Sequence, residues 1–389
     1  MSETFFSPVP RGLEETLADE LRALGAAAPR TTPGGVEWRG DWQACWRANL
    51  ESRLATRVLW RVGGGRYRNE TDIYRLALGV GWAQWFTPDD TIRVFVTARQ
   101  SPLRSLEFIT LRIKDAVCDH FRNARGRRPN VDTARPAVRI HAFLNRDTLL
   151  LYLDTSGEPL YKRGIKSAMV EAPLKENLAA GILRLAGWRE DEALADPMCG
   201  SGTFLIEAAQ MALGIAPGLE RRFAFERLRT FDASQWAAIR GEAQARQSPP
   251  RPLRLHGSDI AEDQVRGTRA NLAAAGLESC VTLECADLLE LAPSAAGGVM
   301  VTNPPYGVRL GVAEELTAFY PRLGDVLKQR WANWRCHLFS ADMNLPRTIG
   351  LRASRRTLLF NGALECRLFE YKIVAPGIRY QESGNGSTG

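Results

Sequence analysis

A chain of 389 residues is long enough for two or three domains with well-buried cores. Apolar residues make up 45% and charged residues 24%, no apolar run is long enough to cross a bilayer, and Met1–Arg11 shows no signal pattern, so a soluble cytoplasmic protein is expected and a membrane-spanning one excluded. The net charge of +7, carried mostly by arginine, suits phosphate-rich partners, and seven scattered cysteines without a C-x-x-C pair or a histidine cluster argue against a disulfide framework or a metal site.

In chain order, Phe5–Val9 reads as a strand and Gly12–Leu24 as an amphipathic helix with Leu13, Leu17, Leu21 and Leu24 on one face, ended by Gly25. A strand at Gly35–Trp38, a helix at Trp42–Leu50 and a strand at Ala55–Val62 complete a small α/β unit, with Gly63-Gly64-Gly65 expected as a turn or hinge. A helix over Thr71–Val80 and the aromatics Trp82, Trp85 and Phe86 follow; burial statistics favour core over a base-stacking role for these three. Ile92, Val94 and Val96 alternate as a strand, and Ser105–Phe121 has helical spacing. That helix runs into Arg122–Pro129, whose four arginines suit either a solvated loop or phosphate contact. Strands at Val138–Leu144 and Thr148–Leu153 form a hairpin around Asn145-Arg146-Asp147. Asp154–Gly164 then reads as a turn that exposes Lys162 and Arg163.

Beyond this seam, Asp191–Ala195 reads as a strand, Asp196-Pro197-Met198-Cys199-Gly200-Ser201-Gly202-Thr203 as a glycine turn and Phe204–Leu213 as a helix. Glycines at 200 and 202 allow a sharp turn and close approach to a ligand, although the spacing is not that of a dinucleotide fingerprint. Leu253–Ile260 is a second strand, ending in Asp259, an acid suited to two ribose hydroxyls. Asp259 lies too far from Asp196 for a nicotinamide site, and Leu213–Pro252 reads as an insertion that accounts for the distance. A third strand, Val281–Cys285, ends at Asp287-Leu288, where a carboxylate can accept an adenine amine; each of these acids singly could instead be a helix cap. After Gly297-Gly298 and the strand Val299–Val301 comes Asn303-Pro304-Pro305-Tyr306. Here the Asn303 side-chain oxygen and the Pro304 carbonyl can accept the two N–H bonds of a planar amine, two prolines hold the segment extended, and Tyr306 offers a stacking face. The combination is the pattern of an S-adenosylmethionine-dependent amino-methyltransferase. Cofactor contact is expected from Asp196, Met198, Cys199, Gly200, Ser201, Gly202, Thr203, Asp259, Ile260, Asp287, Leu288 and Asn303, with Met198 and Cys199 as packing groups that have no covalent role.

Asp154-Thr155-Ser156-Gly157 with Leu160–Gly164, Glu171–Ala180, Ala216-Pro217-Gly218 before Phe223–Glu226, and Phe360–Cys366 together resemble the THUMP-domain RNA guanine-N2 methyltransferases of the RlmL/YpsC type. The resemblance spans nearly the whole chain. It implies an α/β protein with a ferredoxin-like unit (1–65), a THUMP RNA-binding domain (66–164), a Rossmann-like class I methyltransferase domain (165–379) and a disordered tail (380–389). It also implies S-adenosyl-L-methionine as cofactor, methylation of guanine N2 in 23S rRNA, and catalysis by Asn303, Pro304, Pro305 and Tyr306. RNA phosphates are expected at Lys162 and Arg163, then at Arg125, Arg127 and Arg128, and a monomer without metal or membrane contact is expected. Asn177 departs from the threonine of many relatives and puts a cofactor-side contact there in doubt. The competing readings are an adenine-N6 methyltransferase of RNA or DNA, a guanine-N2 methyltransferase of tRNA, and a non-catalytic RNA-binding factor on the same fold.

Overall fold

The computed structural model describes residues 2–164, 174–304 and 312–374. The chain divides into two compact units, residues 1–164 with 176–181 and 213–248, and residues 165–175 with 182–212 and 249–389. Among the described residues no helix is long and apolar enough to cross a membrane.

The first unit contains β1 (Glu3–Pro8), α1 (Glu14–Ala23), β2 (Ala27–Thr32), β3 (Gly35–Gly40), α2 (Trp42–Glu51), β4 (Leu59–Arg66), α3 (Glu70–Leu78), β5 (Ile92–Arg99), α4 (Leu106–Arg125), β6 (Val138–Asn145) and β7 (Thr148–Asp154). Its sheet has the order β2-β3-β1-β4-β7-β6-β5, and β4 joins the two halves by pairing with β1 on one side and β7 on the other. This corrects the expected hinge at Gly63-Gly64-Gly65, because those glycines lie inside β4. Helix α3 and the loop behind it press on the strand there: a Cβ at Gly63 would stand 2.7 Å from Val80, and one at Gly65 would stand 2.7 Å from Leu76. Gly64, at φ +147, lets the strand bulge against Leu149. The glycines therefore serve close packing.

Helix α4 starts at Ser105, whose hydroxyl accepts the Phe108 N–H at 3.2 Å, and ends at Gly126 with φ +69, while Ile109, Ile113, Ala116, Val117 and Phe121 face the core. The arginine run thus begins as the helix's last turn. Trp82 and Phe86 are core residues, and Trp85 stacks edge-on against Trp60 at 4.9 Å.

The stretch read as an insertion, 213–248, belongs to this first unit. It carries α7 (Ala233–Ala245), capped by Asp232, which accepts the Ser234 and Gln235 N–H groups at 3.0 Å. Trp236 of α7 packs edge-on against Phe225 at 5.0 Å, and Phe225 lies 5.9 Å from Trp46 of α2. Burying several aromatic rings together holds the excursion in place.

The second unit follows α5 (Glu176–Leu185), whose opening residues belong to the first, and contains β8 (Leu194–Asp196), α6 (Thr203–Ala212), β9 (Leu255–Asp259), α8 (Glu262–Ala274), β10 (Val281–Cys285), β11 (Gly298–Thr302), α9 (Val312–Arg330), β12 (Trp334–Ser340), α10 (Leu345–Thr348), β13 (Arg355–Asn361) and β14 (Leu364–Lys372). The sheet order is β10-β9-β8-β11-β12-β14-β13. The first five strands across the sheet are parallel, and β14 runs antiparallel between β12 and β13. A core of Met300, Leu323, Leu327, Trp331, Trp334, Leu338 and Phe369 fills one face. Strand order reverses between β8 and β11, so their carboxyl ends flank the crevice where open α/β sheets bind ligands.

Candidate active site

The site is built on the carboxyl ends of four adjacent parallel strands. Asp196 closes β8, Asp259 closes β9, Asp287 stands two residues beyond β10, and Asn303 follows β11 directly. The register aligns them: Asp196 pairs with Gly257 and Asp259 with Cys285, while Met300 pairs with Ala195. Gly257 lets α6 lie close against β9, since a Cβ there would come within 2.4 Å of Leu205.

The turn after β8 is held from α8 and β9. Thr268 donates its hydroxyl to the Gly200 carbonyl at 2.6 Å, Asn271 donates to the Ser201 carbonyl at 3.1 Å, and the Cys199 N–H donates to the Ser258 carbonyl at 2.9 Å. Both glycines adopt positive φ, +51 at Gly200 and +74 at Gly202, but for different reasons. A Cβ on Gly202 would strike Thr268 at 2.7 Å, whereas one on Gly200 would meet nothing within 4 Å. Gly202 is needed for packing, and Gly200 keeps space open at the mouth of the turn. Ser201 and Thr203 are buried with their hydroxyls 3.1 Å apart. Cys199 is buried and its thiol pushed up by desolvation, which leaves it a packing group. Met198, half-buried, packs on the core beneath the sheet, as does the buried Leu288.

The three acids differ. Asp259 accepts the Gly200 N–H at 3.1 Å through one oxygen and the Ala261 N–H at 3.1 Å through the other, so it closes the turn that leads into α8 and ties the glycine turn at once. Each oxygen retains a lone pair for a ligand hydroxyl. Asp287 caps its own loop, taking the Leu289 N–H at 2.9 Å, and its second oxygen makes no hydrogen bond among the described residues. Asp196 is buried, and desolvation pushes its carboxyl up to about 8, although the Met198 N–H favours the anion. The Thr302 hydroxyl stands near enough to favour that anion too, without completing a hydrogen bond.

Among the described residues, four buried polar atoms here have no partner: Asp196 Oδ1, Ser258 Oγ, Thr302 Oγ1 and Asn303 Oδ1. Orphaned buried polar atoms are rare, and a group of them beside an open glycine is what a polar ligand would satisfy. Ile260, 69% exposed beside Asp259, offers an apolar surface at the same edge. A cationic ligand beside the buried Asp196 would favour its ionised form and relieve its desolvation, and hydroxyl-accepting and amine-accepting acids on adjacent strands suit a nucleoside, so these residues fit S-adenosylmethionine. Ser258, Thr302, Thr268 and Asn271 were not singled out in the sequence; the i, i+3 spacing of the last two on one helix was the available signal.

Of the other expected site residues, Pro304 is buried next to Asn303, while Pro305 and Tyr306 lie outside the described residues. Lys162 is exposed and pairs with Glu158 at 3.2 Å. Arg163 requires a correction: it is buried, donating to the Leu160 carbonyl at 2.6 Å and the Arg53 carbonyl at 2.9 Å, so it braces the seam and offers no exposed cation. Arg125 and Arg128 are exposed, and Arg127 pairs with Asp89 at 2.6 Å on the surface. Asn177 is engaged within the first unit, where its amide donates to the Leu54 carbonyl at 3.1 Å and to Thr56 Oγ1 at 3.3 Å.

Numbered within its own sheet, the second unit has the strand order 3-2-1-4-5-7-6 with strand seven antiparallel; that order, with the glycine turn and strand-end acids, defines a class I methyltransferase domain. Models of three domain families match in series: an RlmL ferredoxin-like domain over residues 4–59, a THUMP domain over 67–154, and an RMKL-like methyltransferase domain over 163–370. The chain belongs to the RMKL-like methyltransferase family. "Ribosomal RNA large subunit methyltransferase K/L" of Allochromatium vinosum is 40% identical over 95% of this chain and 51% of its own length, so the chain spans about half of that relative. The "Putative RNA methyltransferase slr0064" of Synechocystis is 37% identical over 95% of this chain and 96% of its own. The crystal structure of "SMU.472, a putative methyltransferase complexed with SAH" superposes with a TM-score of 0.88 at 28% identity, covering 97% of this chain and 99% of that one.

Proposed function

We propose that this protein is an S-adenosylmethionine-dependent RNA methyltransferase that modifies an exocyclic base amine, guanine N2 of 23S rRNA. The observation that carries the reading is Asn303 Oδ1, a buried acceptor without a partner among the described residues, at the carboxyl end of β11, one strand from Asp196 and the glycine turn. The ribosomal choice rests on the names of the relatives and on the THUMP domain, and the base atom on the resemblance noted in the sequence.

The cofactor, when bound, supplies an electrophilic methyl group. The chain's own part is position and desolvation. Asn303 Oδ1 and the Pro304 carbonyl accept the two amine N–H bonds, which turns the nitrogen lone pair toward the donor. Gly200 leaves room for close approach, Asp259 and Asp287 take a ribose and an adenine edge, and Asp196, protonated in the ligand-free protein, ionises when the cofactor's positive charge lies beside it. Such alignment is worth up to roughly 7–11 kcal/mol in the best intramolecular cases. The amine proton becomes acidic once the carbon is attached, so a weak base suffices. A paired base cannot reach this crevice, so the target is unpaired or everted.

The test is methylation of transcribed 23S rRNA, bulk transfer RNA and duplex DNA with labelled cofactor, followed by nucleoside analysis. N2-methylguanosine in the ribosomal transcript is expected. N6-methyladenosine would overturn the base assignment, and label in transfer RNA or DNA alone would overturn the substrate.

A further inference from the structure

The β13–β14 hairpin and the loop that follows β12 have no role in the chemistry above, yet they carry an unusual surface. The strand register sets their height against the site. Thr302 of β11 pairs with Leu338 of β12, Ser340 of β12 pairs with Arg367 of β14, and Arg367 pairs with Leu358 of β13. Arg367 and Leu358 therefore stand level with Pro304, and the hairpin continues through Asn361 and Leu364 past the carboxyl edge of the sheet. At about 4.8 Å between strands, Arg367 lies on the order of 10 Å across the sheet from the Asn303-Pro304 backbone.

Two properties coincide there. Among the described residues of the second unit, the exposed large apolar side chains are Ile260, Met343, Leu358 and Leu364, and all four lie toward the carboxyl edge. Ile260 belongs to the nucleoside end; Met343 and Leu358, at 40% and 43% exposure, lie at the opposite end on the Arg367 face of the hairpin, and Leu364 points to its other face. Residues 341–372 also hold six Lys or Arg against three Asp or Glu. Arg367 is kept in place by Glu365 at 3.1 Å and by the Met343 sulfur at 3.2 Å, and Arg356 makes no ion pair among the described residues. Exposed apolar groups interleaved with arginine suit unstacked bases and their phosphates, and charge complementarity favours a polyanion over a protein partner.

We propose that this surface, Met343 and Leu358 with Arg356 and Arg367, holds the unpaired nucleotides that flank the target base. This deepens the RNA-methyltransferase reading and rests on it. A base everted into the site leaves its neighbours on the order of 10–15 Å away, and Arg367 and Arg356 stand two and three strand spacings from β11.

The experiment compares the wild type with Arg356→Glu/Arg367→Glu, with Arg356→Lys/Arg367→Lys, and with a control pair of equal charge change on the other half of the unit, Arg251→Glu/Arg266→Glu. Filter binding to transcribed 23S rRNA from 50 to 200 mM KCl and single-turnover methylation are measured for each, with thermal melting and S-adenosylhomocysteine affinity as checks on folding. The hairpin reversal should weaken RNA binding at least about tenfold and lower the salt slope by about 1.4, at roughly 0.7 per phosphate of a single strand. The rate at saturating RNA should stay within about twofold, the lysine pair should recover most of the affinity, and the control should match the wild type. Wild-type binding by the reversal pair, equal loss in the control, or a lysine pair as defective as the glutamate pair would each overturn the proposal. If the wild type methylates transfer RNA instead, the ribosomal reading fails, and the hairpin comparison is made on transfer RNA with the same outcomes. Absence of binding to either RNA would overturn both.

Discussion

Gly200 and Gly202 sit two residues apart in one turn, and replacing each with alanine should produce opposite phenotypes. Both have positive φ, so alanine costs about 1–2 kcal/mol of backbone strain at either position. At Gly202 the new methyl would stand 2.7 Å from the Thr268 side chain, adding about 1–3 kcal/mol of overpacking. Displacing Thr268 also breaks its 2.6 Å hydrogen bond to the Gly200 carbonyl, about another 1 kcal/mol. At Gly200 the methyl meets nothing within 4 Å and enters the open mouth of the turn. With roughly 2–4 °C of melting temperature per kcal/mol for a unit of this size, Gly202→Ala should melt about 10 °C lower and Gly200→Ala only about 4 °C lower. In calorimetry with S-adenosylhomocysteine the order reverses: Gly200→Ala should lose at least about tenfold in affinity, about 1.4 kcal/mol, because its Cβ occupies the ligand's approach. Binding by Gly200→Ala within twofold of wild type would refute the assignment of this turn as the cofactor cradle.

Three further outcomes follow from the geometry. Asp196 has its folded pKa raised to about 8, so the stability contributed by its protonated form is complete below about pH 4 and is lost as pH climbs through about 8; Asp196→Asn, neutral throughout, should therefore gain melting temperature relative to ligand-free wild type between pH 5 and pH 8.5, and a constant difference would contradict the burial argument. Replacing Arg125, Arg127 and Arg128 together by alanine should flatten the salt dependence of RNA binding with little change in melting, whereas Arg163→Ala should lower the melting temperature and leave the salt slope alone, since its guanidinium is spent on two carbonyls. Cys285 is the exposed thiol among seven, with its sulfur 3.6 Å from the Ile260 carbonyl, so a thiol reagent should modify it first, and S-adenosylhomocysteine should slow that reaction; unaltered labelling kinetics would place the nucleoside elsewhere.

The parts of this molecule that could be read from sequence are those where local chemistry and global placement agree. Strand, glycine turn and helix around Asp196 follow from an apolar run broken by two glycines, and the acids at 259 and 287 fall at or just past the end of a short strand. Asn303 announces itself through the prolines that follow it. Where the sequence misled, tertiary packing had the final word. Three consecutive glycines look like a hinge, but in β4 they make room for Leu76 and Val80, contacts that no local pattern encodes. Arg163 looks like a surface cation in a turn and is instead buried against two carbonyls supplied by the fold. The excursion over 213–248 could be recognised as extra length, and Asp232 before Ser234 and Gln235 was a legible helix start. Its allegiance to the first unit depends on aromatic contacts with Trp46, nearly two hundred residues earlier. Strand β2, polar and almost wholly exposed, lacks the alternation that would have marked it.

Single-turnover methyl transfer by Asn303→Ala, with saturating cofactor and transcribed 23S rRNA, tests the account most directly. Loss of the buried acceptor should slow transfer by at least about 100-fold, near 2.7 kcal/mol, while S-adenosylhomocysteine affinity stays within about threefold. Transfer at the wild-type rate would contradict the claim that this side chain holds the reacting amine.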